Sequence, residues 1–95
     1  MASAGSATVD STGATVYESL SGCTIFRVQN LSTSTVNALV NVASLHDAGE
    51  FYVINPGLYV DFRLNHMGIK SVFAKGSGGS ASIIYGVIAK SLPPD

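Results

Sequence analysis

The chain has 95 residues, a net charge of −1, and charged side chains at only 12% of its positions, against about 25% in ordinary soluble domains. The length favours one domain with a small core. The five Lys and Arg residues are scattered, so no basic patch predicts nucleic-acid binding. The chain contains no apolar run of membrane-spanning length and no secretory signal at its start, so we expect synthesis in a cytoplasm and no membrane partner.

The first residues differ in composition from the rest. Residues 1–13 (MASAGSATVDSTG) are small and polar and show no hydrophobic period, which predicts a flexible N-terminal arm. We expect residues 14–92 to form the folded domain and residues 93–95 to form a short C-terminal tail.

Apolar and polar residues alternate along the segments that follow the arm. This period of two is typical of half-buried antiparallel strands, and no segment has a helical period. The alternation places the following residues on a shared face of their strand: Val16 and Leu20; Phe26, Val28 and Asn30; and Val36, Ala38, Val40 and Val42. In the clearest segment, Leu58, Val60, Phe62 and Leu64 are predicted to point inward.

Turn residues separate these segments. Asn-Pro-Gly at 55–57 predicts a hairpin between EFYVI and LYVDFRL. The glycine-serine run at 76–80 predicts a hairpin connection between IKSVFAK and ASIIYGVIA, and it lacks the GK[ST] ending of a phosphate-binding loop. About seven short strands at regular spacing predict an all-β fold, a single antiparallel sandwich or barrel.

The last strand, residues 81–89 (ASIIYGVIA), is apolar on both faces. Ile83, Tyr85 and Val87 share one face, and Ile84 and Ile88 lie on the other. A strand of this kind is usually covered on both sides. The outer cover is a loop of the same chain, the N-terminal arm or another subunit. We expect a contact with another subunit to use Ile84 and Ile88, or the alternate set around Tyr85.

Groups with catalytic or metal-binding chemistry are few. His46, Asp47 and Glu50 fall in one loop and His66 in a second, and such side chains are able to hold a divalent metal or exchange protons. Their spacing matches neither HExxH nor a calcium loop. The sequence therefore predicts no catalytic, metal or cofactor site and no enzymatic activity.

Two further residue types require an interpretation. Cys23 is the only cysteine, and we expect it to be a small buried hydrophobic residue and not a reactive thiol. The four tyrosines, Tyr17, Tyr52, Tyr59 and Tyr85, are candidates for an aromatic platform that binds a sugar. That possibility keeps a carbohydrate-binding module open as an alternative.

Three segments follow one another between residues 24 and 90, namely FRVQNLSTSTVNALVNV, LHDAGEFYVINPGLYVDFRL and GIKSVFAKGSGGSASIIYGVIA. Within them are an I-x-PG-x-x-x-x-F turn, from Ile54 to Phe62, and a closing V-x-AKG-x-x-G-x-A-x-I pair, from Val72 to Ile83. In this order of segments and motifs, residues 24–90 resemble small all-β virion proteins of tailed bacteriophages.

The resemblance implies a structural role in the virion. It implies a capsid decoration (cement) protein that forms a homo-oligomer, with a trimer favoured, and that binds the major capsid protein or another virion protein. A tail or neck accessory protein is the alternative within the same class. Ile84, Tyr85 and Ile88 then become candidates for the capsid contact as well as for the oligomer contact. No functional residue of the family is carried over, because such proteins act through surfaces.

Overall fold

The computed structural model describes residues 4–33, 35–64 and 68–90. These residues form strands and turns, without a helix among them. The predicted tail (93–95) and His66 lie outside the described residues. The eight strands are β1 (Ala4–Val9), β2 (Ala14–Cys23), β3 (Ile25–Asn30), β4 (Ala38–Val42), β5 (Tyr52–Ile54), β6 (Tyr59–Arg63), β7 (Ile69–Gly76) and β8 (Ala81–Ala89).

The strands form two four-stranded antiparallel sheets that pack against each other. Sheet A has the order β1-β8-β3-β6, and sheet B has the order β2-β7-β4-β5. Each sheet remains open, so the fold is a sandwich and not a barrel. The predicted all-β antiparallel sandwich is confirmed.

The core lies between the inner faces of the two sheets. The predicted grouping of residues on one face of β3 and of β4 agrees with the core, since Phe26, Val28, Val40 and Val42 are fully buried. Complete burial of a side chain of this size contributes about 1.5–3 kcal/mol. The other buried apolar residues are Val9, Val16, Tyr17, Cys23, Ala38, Ile54, Phe62, Ile69, Val72, Ala74, Ala81 and Ile83.

The prediction for β2 is wrong at Leu20. Val16 and Leu20 do not share a face, because Val16 is buried together with the adjacent Tyr17, whereas Leu20 is 99% exposed. The cause is a shift in the pairing register with β7 between Thr15 and Tyr17, followed by a second shift between Glu18 and Cys23. A bulge inserts an extra residue, so strict alternation ends there.

Both predicted hairpins are wrong. The strand before Asn-Pro-Gly, β5, pairs with β4 in sheet B, whereas the strand after it, β6, pairs with β3 in sheet A. The glycine-serine run likewise leads from β7 of sheet B to β8 of sheet A. Each turn therefore crosses from one sheet to the other. Leu58 belongs to the first of these crossings and is 56% exposed, although the alternation placed it inward.

The predicted flexible arm is wrong for residues 4–9. They form β1, which pairs with β8 over its whole length, from Ala4 opposite Gly86 to Val9 opposite Ala81. Val9 is buried in the core, and Ala7 packs against it. Backbone hydrogen bonds to β8 hold β1 in place, and these bonds do not depend on its side chains. The small polar residues of β1 therefore show no hydrophobic period that would have predicted a strand.

The buried side chain of Asn30 ties the two sheets together at one end. Its Nδ2 group donates to the carbonyl oxygens of Ile54 (2.9 Å) and Val36 (3.1 Å). Its Oδ1 atom accepts from the backbone N–H of Ser32 (3.0 Å). The backbone carbonyl of Asn30 accepts from Gly57 N–H (2.7 Å). One residue of sheet A thus holds the end of β5 in sheet B and the turn that follows it.

Replacing Asn30 by Ala should destabilise the domain by about 3 kcal/mol, because the buried carbonyl oxygen of Ile54 and the partly buried one of Val36 lose their hydrogen bonds from the Asn30 amide. Chemical denaturation measures the loss. Asn55→Ala is the matched control, since Asn55 is exposed in the adjacent turn, and it should cost no more than about 0.5 kcal/mol. Similar losses for the two variants would contradict the role given to Asn30.

Gly76→Ala should lower the free energy of unfolding by about 3 kcal/mol or more. A Cβ atom at Gly76 would overlap the carbonyl oxygen of Gly79 and lie 3.0 Å from that of Val9, and backbone atoms cannot move aside cheaply. The control is Gly49→Ala, where a Cβ atom meets nothing within 4 Å. That variant should lower the free energy of unfolding by about 1 kcal/mol, because only the positive φ of Gly49 disfavours a side chain there. Equal losses in thermal or chemical unfolding would refute the steric explanation.

Candidate functional site

The outward side chains of sheet A form a broad surface, which we call the outer face of sheet A. Strand β8 runs through its middle. The register of the four strands brings together Ala4, Ser6 and Thr8 of β1, Ser82, Ile84, Gly86 and Ile88 of β8, Ile25, Arg27 and Gln29 of β3, and Tyr59, Asp61 and Arg63 of β6.

Ile84 and Ile88 are the exposed apolar residues of this face on β8, at 43% and 50% exposure. Ala4–Val9, part of the predicted arm, lies beside β8 in the same sheet and not over its outer face. Within the described chain the two isoleucines therefore stay open to solvent. Exposed apolar side chains that form a contiguous patch are typical of a contact surface.

Tyr85 is not on this surface. Its ring packs inward against Phe26, with 6.2 Å between the ring centroids. A Cβ atom at Gly5, the residue opposite on β1, would lie 3.0 Å from the Tyr85 hydroxyl oxygen. The structure thus groups Ile84 with Ile88 and separates Tyr85 from both, as alternation along a strand requires.

A shift in the register of β3 and β8 affects the position of Ile88. Phe26 lies opposite Val87, but the preceding residue, Ile25, lies opposite Ala89. Ile88 is the extra residue of this bulge, two positions beyond Gly86. A bulge increases the local twist, so it sets the direction of Ile88 relative to Ile84.

Charge on the outer face is confined to the β3–β6 side and is largely paired. Arg27 donates from Nε and an Nη to the two carboxylate oxygens of Asp61, at 2.7 and 3.0 Å. The Arg27 guanidinium also lies over the Tyr59 ring, 4.4 Å from its centroid. The hydrogen bonds from Arg27 lower the pKa of the Asp61 carboxyl. The sequence pattern does not reveal this cluster, because the pairing of β3 with β6 brings its residues together from distant parts of the chain.

The acidic loop after β4 is organised by its own hydrogen bonds. Asn41 Nδ2 donates to the carbonyl oxygens of Asp47 and Glu50, and a Glu50 carboxylate oxygen accepts from Asp47 N–H. His46 Nδ1 accepts from Val42 N–H, and its ring meets the edge of Phe62. Over the described residues, no three His, Cys, Asp or Glu side chains come together to hold a metal ion.

The four tyrosines do not form one platform. Tyr17 is buried and Tyr85 packs inward. Tyr52 belongs to sheet B and meets the edge of Phe62, whereas Tyr59 belongs to sheet A and is covered on one side by Arg27. The exposed rings therefore lie on different sheets, which gives a sugar no shared stacking surface.

Cys23 is fully buried, and burial raises the pKa of its thiol. A raised pKa keeps the sulfur protonated, and the thiolate is the reactive form. The environment of Cys23 is therefore that of the small core residue the sequence predicts.

The outer face of sheet B carries a second, smaller apolar area. The Phe51 and Phe73 rings lie 6.3 Å apart, and Lys75 Nζ lies 4.3 Å from the Phe51 centroid. Phe51 and Phe73 are half-buried, and Val53 nearby is 50% exposed. The loop after β4 brings Phe51 to this position, so the area is already partly covered by the chain itself.

Comparisons with protein-family models, curated proteins and solved structures gave no match. No helix of the described residues has the length and apolar character to cross a membrane.

The Arg27–Asp61 pair should make the stability of the domain depend on pH in the acidic range. The Asp61 pKa is lower in the folded chain than in the unfolded one, so the pair stabilises the fold above about pH 4, and this contribution is lost as the pH falls through the lower folded pKa. Asp61→Asn should therefore destabilise the domain at pH 7 and by much less near pH 2. Arg27→Gln should remove the same pH-dependent contribution to the free energy of unfolding. A constant difference across this range, in denaturant titrations, would contradict the assignment.

Proposed function

We propose that this domain is a non-enzymatic structural protein that acts through its surfaces, as a decoration (cement) protein bound to the outside of a phage capsid. The observation that carries the proposal is the open outer face of sheet A, where Ile84 and Ile88 remain exposed in an otherwise complete sandwich. The low charge of the chain, 12% of its residues, supports it, because a free monomer usually relies on surface charge for solubility.

The shape of the outer face suits a large, flat partner. Its β1 and β8 positions carry small neutral side chains around the two isoleucines, and its β3–β6 side carries the Arg27–Asp61 pair. Complementary surfaces of this type have an apolar centre and a polar rim. A small substrate would need a concave site with converging polar groups, and Ile84 and Ile88 stand on an open strand face instead.

The energy of one contact is modest. Ile84 and Ile88 are each about half exposed, so burying what remains contributes about 1 kcal/mol per side chain. A protein that binds only the assembled shell stabilises it by RT ln(1 + [L]/Kd), about 4 kcal/mol per site at a thousandfold excess over Kd. Many equivalent sites on one shell then raise the temperature at which it opens.

Deletion of the protein from the parent phage tests the proposal. Particles without it should assemble but release their DNA at a lower temperature, and adding the purified protein should restore them. Light scattering during heating measures the release. Particles that survive heating unchanged would refute the proposal; failure of those particles to adsorb to cells would instead assign the protein to the tail or to sugar binding.

Substitution of the exposed isoleucines tests the surface. Ile84→Asp combined with Ile88→Asp should weaken binding to depleted particles at least tenfold, because charge is placed at the centre of the contact. Leu20→Asp is the matched control, since Leu20 is fully exposed on sheet B, and it should bind like the unmodified protein. If Leu20→Asp instead weakened binding more than the double isoleucine variant in a co-sedimentation assay, the contact would lie on sheet B.

A further inference from the structure

Open sheets leave edge strands, whose unpaired backbone groups invite pairing with another chain. Proteins block such edges with bulges, charges or very short strands. The described fold has four edges, formed by β1 and β6 in sheet A and by β2 and β5 in sheet B.

Three of the four edges carry a blocking feature. Strand β2 has two shifts in its register with β7. Strand β5 is only three residues long. Strand β6 carries the charged residues Asp61 and Arg63 among its five positions.

Strand β1 has none of these features. It is six residues long (AGSATV), contains neither charge nor proline, and pairs with β8 without a shift in register. Its outward residues Ser6 and Thr8 are exposed. A regular, neutral and accessible edge is the arrangement that accepts another strand.

We propose that β1 pairs in antiparallel fashion with β1 of a second copy of this chain, about a two-fold axis. The two copies of sheet A then form one continuous eight-stranded sheet. Such an axis is perpendicular to the sheet, so outer-face residues of one copy meet outer-face residues of the other. Both outer faces join, and the Ile84 and Ile88 residues of the two copies point to the same side.

The side chains of β1 favour its own copy as the partner. Self-pairing places Ala, Gly, Ser and Thr opposite one another, so the pair contains neither like charges nor bulky groups that clash. Pairing of β1 with β6 of another copy would place the Arg27–Asp61–Tyr59 cluster beside the new junction, with no partner for Arg63 on β1. The self-paired dimer replaces the trimer that the phage resemblance implies. The dimer forms without a capsid, so an experiment on the purified chain tests it independently of the proposed function.

Sedimentation of the purified chain over a range of concentrations tests the stoichiometry. A monomer–dimer equilibrium is expected, and it should be weak because strand pairing buries little surface. Hydrogen exchange followed by mass spectrometry then locates the contact. The peptide that spans β1 should gain protection at concentrations where the dimer forms, while β2, β5 and β6 should not. A monomer at high micromolar concentration, a trimer, or a dimer that protects another edge or the outer face alone would overturn the proposal.

A pair of substitutions separates the edge from the face. Ser6→Lys combined with Thr8→Lys places lysines opposite lysines when the axis passes beside Ser6, Ala7 or Thr8, and should weaken the dimer at least tenfold. The control, Ser82→Lys combined with Gln29→Lys, adds the same charge to the same face on β8 and β3, away from the edge. The control should change the dissociation constant of the dimer by no more than about twofold. Equal weakening by both variants would refute pairing through β1.

Discussion

The hydrogen bonds of Asn30 connect the two sheets where the chain crosses between them. Its side chain donates to the last residue of β5 in sheet B, and its backbone carbonyl accepts from Gly57 in the turn that leads to sheet A. A fully buried amide would be costly without partners, and the described residues contain no buried side-chain polar atom that lacks one. Because Asn30 requires these carbonyls within about 3 Å, it determines where β5 ends and where β6 begins.

The positions of the surfaces follow from these crossings. The chain leaves sheet B at the end of β5 and enters sheet A at β6. The crossing places β6 beside β3, so Arg27 reaches Asp61 and its guanidinium covers the Tyr59 ring. The crossing from β7 to β8 has the same effect on the other side, where it places β8 in the middle of sheet A. The exposed isoleucines therefore lie at the centre of a face, which is the position that a flat contact requires.

The face and the edge of sheet A offer two kinds of contact. The face contributes apolar area, whose energy depends on what covers Ile84 and Ile88. The edge contributes backbone hydrogen bonds, which depend little on side chains and act at right angles to the face. Because the two directions differ, a chain joined to its copy through β1 would still present its outer face to a larger partner.

Local pattern by itself determined the class of the fold and much of its core. Period-two alternation grouped the residues that β3 and β4 bury, and the same rule separated Ile84 and Ile88 from Ile83, Tyr85 and Val87 of β8. The reason is that alternation is a property of one strand and does not depend on its neighbour. Only the tertiary structure decided which strands pair, because turn chemistry is similar for a hairpin and for a crossing between sheets. It also decided the bulges in β2 and at Ile88, the pairing of Arg27 with Asp61, and the presence of β1, which is held by the backbone of β8 and leaves no hydrophobic pattern in its own sequence.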